Sequence, residues 1–162
     1  SSALLAMEMF KQQAQIRLAQ IPYSSFPQIM TAIIGGDIQA AFMVPATAMP
    51  QVQTGKVRAL AVTSLEPSKA LPGIPTMASQ GFPDFEAISW NAMLAPAGTP
   101  EPIIERLNRE LTQIINSDAV RQQLALQYFT PAPSTPQELS QRISHEKARW
   151  DVVIERLNLS LD

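Results

Sequence analysis

Small and hydroxyl-bearing side chains follow three apolar runs of the chain, at the points where each run ends. They are Tyr23, Ser24 and Ser25, then Ala46 and Thr47, and finally Thr63 and Ser64. If the runs are parallel strands, their carboxyl ends share one edge of a sheet, which is where open α/β folds bind ligands. Helices that begin at this edge offer free N–H groups and partial positive charge, so the pattern predicts binding of a small carboxylate. The alternative is that each hydroxyl only caps the helix that follows it.

The stretch "TGKVRALAVTS", residues 54–64, places a Gly-Lys pair beside one of these runs. In a phosphate-binding loop the strand comes first, and the glycines and the lysine follow it into a helix. Here Gly55 and Lys56 come before the apolar run, so the order is wrong for a nucleotide site. Gly55 is better interpreted as the left-handed residue that ends a preceding helix.

The residue types needed for catalysis or for a metal site are scarce. His145 is the single histidine, it lies within a predicted helix, and the chain has no cysteine. Disulfides, thiolate catalysis and cysteine-ligated zinc are therefore excluded, and a surface histidine is the expected role of His145. Four acidic residues fall in loops or at strand starts, away from the predicted ligand edge: Asp37, Glu66, Asp84 and Glu86. The sequence thus predicts no catalytic residue, no metal ligand and no cofactor.

Composition narrows the class of protein further. The chain has 162 residues, 46% of them hydrophobic and 16% charged, as expected of a packed globular protein. A net charge of −2 gives no broad attraction to nucleic acid or to an anionic membrane. The first five residues lack the charged start of a signal peptide, so we expect the chain to begin inside a longer precursor.

Periodicity predicts alternating strands and helices in the first half of the chain. A helix over residues 3–14 is followed by strands at 18–22, 38–44 and 57–63, all nearly apolar. Between the strands, one helix begins near Pro27 and stops at Gly35-Gly36, and another runs from about residue 45 to 54. Right-handed crossovers make the three strands parallel, which gives a βαβαβ lobe.

The second half of the chain is predicted to be mainly helical. A proline-rich loop with one short helix near residues 76–80 leads to an extended strand over residues 85–96. Helices then begin at Thr99-Pro100 and at Ser117, and a brief strand is expected at 128–131. Thr135 and Glu138 have the spacing of a capping box for a final helix.

Five segments, in this order and spacing, resemble the substrate-binding proteins of tripartite tricarboxylate transporters, the Bug family. They are "EMFKQQAQIRLAQIPY", "IIGGDIQAAF", "TGKVRALAVTS", "LPGIPTMASQGFPDFEAISW" and "LAPAGTPEPIIERLN". The resemblance implies a periplasmic receptor without catalysis, with two α/β lobes that close over a small organic carboxylate and deliver it to a membrane permease. Together with the strand ends it predicts a set of ligand-binding residues: Ser1, Ser2, Tyr23, Ser24, Ser25, Ala46, Thr47 and Ser64.

The resemblance also implies a fold class and a division of the chain. Residues 1–88 correspond to the second α/β lobe of a periplasmic-binding-protein-like fold, a parallel βαβαβ lobe. Residues 89–162 correspond to the crossover strand and the carboxyl-terminal helices of the other, incomplete lobe, whose amino-terminal part is not in this sequence. Where the family usually has Tyr-Lys-Gly-Ser and Asp-Ser, this chain has Tyr23-Ser24-Ser25-Phe26 and Met43-Val44, which implies a less polar pocket.

Two functions therefore stay open at the level of the sequence. The first is the solute-binding receptor. The second is a noncatalytic module that binds no solute and self-associates as a homodimer through its carboxyl-terminal helices, whose apolar faces would otherwise be exposed. Binding of a carboxylate, or its failure, distinguishes the two.

Overall fold

The computed structural model describes residues 2–157, and its regular secondary structure in that range is helical. The helices are α1 (Ser2–Ala14), α2 (Phe26–Gly35), α3 (Pro45–Gln53), α4 (Glu101–Asn116), α5 (Asp118–Leu126) and α6 (Pro136–Leu157), with one 3-10 turn at Ala78–Gln80. The chain divides into two compact units, Ser1–Ser89 (unit 1) and Trp90–Asp162 (unit 2). Unit 1 contains α1 to α3, and unit 2 contains α4 to α6.

Two helices in unit 1, α2 and α3, end at the glycines that the sequence predicted as their ends. α2 ends at Gly35, and Gly36 then adopts a φ of 84° while its N–H donates to the carbonyl of Ile33 at 3.1 Å. α3 ends at Gln53, and Gly55 has a φ of 72°. These positive φ values are open to glycine because it has no Cβ to clash with the backbone. Both predicted helix stops are confirmed.

The parallel βαβαβ lobe is not confirmed. Residues 18–22, 38–44 and 57–63 lie outside regular secondary structure, as do the expected strands at 85–96 and 128–131, where Tyr128 instead has a φ of 61° at the end of α5. An apolar run favours an extended chain, but it becomes a strand only when a neighbouring segment takes up its N–H and C=O groups. The neighbouring segment can be distant in the sequence, and the pattern of apolar side chains along one segment does not specify which segment that is.

One point of β-pairing exists in the part of the chain that the structure describes, and it joins an unexpected partner. Val62 forms a parallel bridge with Thr76. The N–H of Val62 donates to the carbonyl of Pro75 at 2.8 Å, and the N–H of Met77 donates to the carbonyl of Val62 at 2.9 Å. The last apolar run of unit 1 is therefore bonded to the proline-rich segment that the sequence predicted to be a loop.

The core of unit 1 combines small, aliphatic and aromatic side chains around α1 and α2. The buried apolar residues are Ala6, Met30, Ala32, Leu71, Met77, Phe85 and Ala87. An aromatic cluster joins distant segments: Phe10 meets Phe82 and Phe42 edge-on at centroid distances of 5.2 and 6.4 Å, and Phe42 stacks on Phe85 at 6.0 Å. Such pairs add to the free energy gained from burial alone.

Unit 2 is held together by helix contacts and a few specific polar bonds. α4 packs against α5. The side-chain amide of Asn108 on α4 donates to the carbonyl of Ser134 at 2.7 Å, which fixes the loop before α6. Arg142 on α6 lies over the ring of Trp90 at 5.3 Å, within the range of a cation–π contact.

The longest helix, α6, has 22 residues and is largely polar. Its Trp150 is half-buried, and the indole N–H donates to a carboxylate oxygen of Glu146 at 2.9 Å. Across residues 2–157, no helix combines the length and the apolar character needed to cross a membrane.

The predicted capping box at the start of α6 is confirmed. The backbone N–H of Thr135 donates to Oε2 of Glu138 at 2.8 Å, and the N–H of Glu138 donates to the hydroxyl of Thr135 at 3.2 Å. The hydroxyl of Thr135 also bonds to the same carboxylate at 3.0 Å. The backbone and side-chain hydrogen bonds from Thr135 lower the pKa of Glu138, because they stabilise its charged form.

This capping box is expected to make the start of α6 sensitive to acid. Because the pKa of Glu138 is lower in the folded state, its contribution to stability is complete above the carboxyl's ordinary pKa and is lost as the pH falls through the lowered one. The protection of amides in the first turn of α6 against exchange, relative to an unfolded chain at the same pH, should therefore fall in that acid window. Glu138→Gln should remove this pH dependence, and Thr135→Ala should cost about 1 kcal/mol at neutral pH. Equal pH profiles for Glu138→Gln and the wild type would contradict the assignment.

Candidate functional site

The end of the third apolar run is fixed by bonds to the 85–89 segment. The hydroxyl of Thr63 donates to the carbonyl of Ala87 at 2.9 Å, and the N–H of Ala87 donates to the carbonyl of Thr63 at 3.0 Å. The next residue, Ser64, is half-buried and donates its hydroxyl to the carbonyl of Glu66 at 2.6 Å. This bond places the Ser64 hydroxyl in a turn at the start of a loop and engages its one proton.

The start of α1 reaches the same segment. The hydroxyl oxygens of Ser2 and Ser89 are 2.8 Å apart, and both residues are exposed. Ser89 lies two residues beyond Ala87, so the 85–89 segment joins Ser2 to the Thr63–Ser64 end. Ser1, the other predicted serine at this position, lies outside the described residues.

The start of α2 carries three of the predicted residues. Ser25 is the N-cap of α2, with extended backbone, but its side chain makes no capping hydrogen bond. The N–H of Ser24 donates to the side-chain oxygen of Gln28 at 3.0 Å, and Tyr23 is half-buried just before it. The simple alternative, in which the Ser25 hydroxyl is used up as a helix cap, does not hold here.

The start of α3 also lacks a side-chain cap, but for a different reason. Its N-cap is Val44, which has no side-chain oxygen, and Pro45 is the first helical residue. The N–H groups of Thr47 and Ala48 donate to the carbonyl of Val44 at 3.1 and 3.2 Å. Ala46 is exposed and Thr47 is half-buried. α3 packs against α2, so these two helices without side-chain caps are neighbours in unit 1. In unit 2, α4 and α5 also begin without a side-chain cap.

The predicted residues thus fall into two groups. The bonds described above join Ser2 and Ser64 through the 85–89 segment, and the packing of α2 on α3 joins the helices that begin near Ser25 and Ala46. None of those bonds connects one group to the other. The convergence of all eight residues on one ligand stays a prediction.

Two of the contacts in this region involve residues that were absent from the predicted set. Ser89 was not singled out because a lone serine in an apolar segment carries no local signal, and its partner is 87 residues away. Thr63 was recognised as a hydroxyl at the end of the run, but its pairing with Ala87 depends on the path of the chain. Only the tertiary structure brings these groups together.

The remaining candidates for chemistry lie apart from one another. Within residues 2–157 no group of three or more His, Asp or Glu side chains is close enough to hold a metal ion. His145 is exposed on α6. Unit 2 also has an open groove, with Arg109 and the capping-box residues Thr135 and Glu138 in its wall, but the carboxylate there is already bonded by the cap.

Hydroxyl groups, backbone groups and helix N-termini in an α/β-type sequence are typical of a receptor for small polar solutes. Comparison with known proteins agrees with that class. Residues 1–159 match the family described as "Tripartite tricarboxylate transporter family receptor". The chain belongs to this family, and the resemblance seen in the five sequence segments is confirmed.

Individual relatives extend the comparison. Protein BugT of Bordetella pertussis is 33% identical over 161 residues, covering 99% of this chain and 49% of BugT. The structure titled "R. palustris Rpa4515 with adipate" has a TM-score of 0.87 and 27% identity, covering 99% of this chain and 54% of that chain. MatC (Rpa3494) from Rhodopseudomonas palustris with bound malate has a TM-score of 0.77 and 26% identity, covering 95% and 53%.

These matches show which fold the chain shares, but they do not confirm the individual strands that the sequence predicted. The path of the chain follows about half of each solved receptor, although its predicted strands are not formed. The chain also spans about half the length of most of the curated relatives it matches.

Proposed function

We propose that the chain acts in a periplasmic solute-binding receptor that captures a small organic carboxylate for a tripartite tricarboxylate-type transporter. The observation that carries this proposal is its likeness, over 99% of its length, to a receptor whose structure contains adipate. Malate in a second solved relative supports the same ligand class, since both molecules are dicarboxylates. The implied partners are the carboxylate and a membrane permease. A net charge of −2 gives no reason to add nucleic acid.

The starts of α2 and α3 suit a carboxylate for a specific physical reason. The first N–H groups of a helix have no partner within the helix, and a side-chain oxygen at the N-cap normally accepts one of them. The Ser25 side chain does not do so, and Val44 has no oxygen to offer. An oxygen of the ligand would supply the missing acceptor, and the helix dipole would favour its negative charge.

The hydroxyls of the other group complete the proposed site. Ser2 would donate to the anion, and Ser64 would do so once its hydroxyl turns away from the carbonyl of Glu66. Tyr23, Ser24, Ala46 and Thr47 would shape the pocket around the anion. We propose binding without turnover, because the single histidine lies in unit 2 on α6 and the chain has no cysteine. After prolonged incubation with the protein, adipate and malate should be recovered unchanged.

Titration calorimetry with adipate and malate tests this function. We expect saturable binding of at least one of them, and no binding of hexane-1,6-diol, which has the length of adipate without its charges. Ser25→Ala and Ser64→Ala should each weaken binding about fivefold, since a neutral hydroxyl bond contributes about 1 kcal/mol. Ser144→Ala is the matched control, because that hydroxyl bonds to the carbonyl of Ser140 within α6. If adipate, malate and a panel of other small carboxylates all fail to bind, the receptor proposal is wrong.

The apolar surface of unit 2 favours self-association of the chain. Ile103, Leu107 and Ile114 follow one stripe of α4 and are 50%, 46% and 53% exposed. α6 adds Ile143 and Val152 to the exposed apolar residues. About half of each side chain is already removed from water, so covering the rest would contribute roughly half of the 1.5–3 kcal/mol of full burial. We therefore propose that a second copy of the chain covers these helices and forms a homodimer.

Light scattering at micromolar concentration should then give the mass of a dimer. Leu107→Glu places a charge in the stripe and is expected to shift the equilibrium toward the monomer. Gln113→Glu adds the same charge to α4 at an exposed polar position and should leave the mass unchanged. A wild-type chain that is monomeric at these concentrations would show that no second copy covers the stripe.

A further inference from the structure

We infer that Ser89 is a positioning residue of the carboxylate site: it holds the hydroxyl of Ser2 against the 85–89 segment, in the orientation in which Ser2 meets the ligand. The inference rests on the proposed function, in which Ser2 and Ser64 belong to one site. Its basis is the 2.8 Å contact between the two serine hydroxyls, which joins residues 87 positions apart.

Ser89 is suited to this role because the segment that carries it is anchored. Phe85 is completely buried and stacks on Phe42 at 6.0 Å. Ala87 is buried, and both its N–H and its carbonyl are bonded to Thr63. Two residues later, Ser89 extends from this fixed backbone at the surface. The backbone that carries Ser89 is therefore fixed relative to the Thr63–Ser64 end. Ser2 lies at the start of α1, and its hydroxyl is oriented by the contact with Ser89.

The pairing of two hydroxyls also determines what the pair can bind. Each hydroxyl has one proton to donate and two lone pairs. When one serine donates to the other, a single proton is left to point away from the pair, and the first bond polarises the second. The pair therefore offers one directed donor, which fits one oxygen of a carboxylate. A hydroxyl without its partner would rotate freely and would lose orientation entropy on binding.

Affinities for adipate and malate, measured on the full 162-residue chain, test the inference. Ser89→Ala should weaken binding about three- to tenfold, as expected for the loss of a neutral hydrogen bond. Ser89→Thr keeps the hydroxyl and should restore most of the affinity. In a Ser2→Ala background, Ser89→Ala should cause little further loss, because the two residues act as a unit. Full additivity of the two substitutions, or wild-type affinity in Ser89→Ala, would overturn the inference.

A measurement without ligand separates this inference from the proposed function. Ala6 and Met7 carry the first amides that bond within α1, since a helical N–H pairs with the carbonyl four residues earlier. Their exchange should be faster in Ser89→Ala than in the wild type, and Ser144→Ala should leave it unchanged. If neither dicarboxylate binds the wild type, the receptor proposal fails, and the exchange rates alone decide whether Ser89 positions Ser2. Unchanged exchange in Ser89→Ala would then contradict the positioning role.

Discussion

Replacement of Phe85 with alanine is expected to lower the free energy of unfolding by about 3–5 kcal/mol, the usual cost of removing a buried aromatic side chain. Phe85 is 0% exposed, and it is the largest fully buried side chain in the described part of the chain. Its ring stacks on Phe42, which in turn meets Phe10 of α1. The substitution therefore leaves a cavity where three distant segments of unit 1 meet.

Thermal and urea denaturation measure this effect. A loss of 3–5 kcal/mol corresponds to a fall in melting temperature of roughly 6–20 °C for a chain of this size. Phe129→Ala is the matched control, because Phe129 is 48% exposed and its ring is only partly removed from water. Similar losses for the two substitutions would show that Phe85 is not the centre of the unit 1 core.

Saturation with a carboxylate ligand is expected to cause the second large change in the stability of the chain. A ligand that binds only the folded state, at a hundredfold excess over its Kd, stabilises that state by about 2.7 kcal/mol. For this chain that corresponds to a rise in melting temperature of roughly 5–10 °C. Adipate and malate are the first ligands to screen, since they occupy solved relatives.

The same screen can be designed so that it tests the location of the site. The shift should be smaller for Ser25→Ala and Ser64→Ala than for the wild type at one fixed ligand concentration. Hexane-1,6-diol should give no shift, because its hydroxyls carry no charge for the helix N-termini to stabilise. A shift of full size in both variants would place the anion elsewhere on the chain.

Local sequence determined the helices of this protein well. Gly36 and Gly55 end α2 and α3 through positive φ angles, and Thr135 and Glu138 form the predicted capping box of α6. These features depend on residues within four positions of one another, so their chemistry can be derived without the fold. The family was also evident from the order of five sequence segments, and the comparison confirms it.

The candidate site could be predicted only in part. The sequence placed Ser25, Ala46 and Thr47 at helix starts, where the structure has them. It did not show that the Ser25 side chain makes no cap, and it gave no indication of Ser89. These facts depend on side-chain directions and on contacts across 87 residues, which no local pattern contains.

The pairing of the apolar runs was decided by the tertiary structure alone. Nearly continuous apolar runs predicted strands at 38–44 and 57–63, but Val62 pairs instead with Thr76, in a segment whose prolines indicated a loop. Every residue but proline offers the same backbone N–H and C=O groups, so a run of apolar residues does not determine which segment bonds beside it. Helices satisfy their backbone groups within a few residues, and for that reason the sequence determined them by itself.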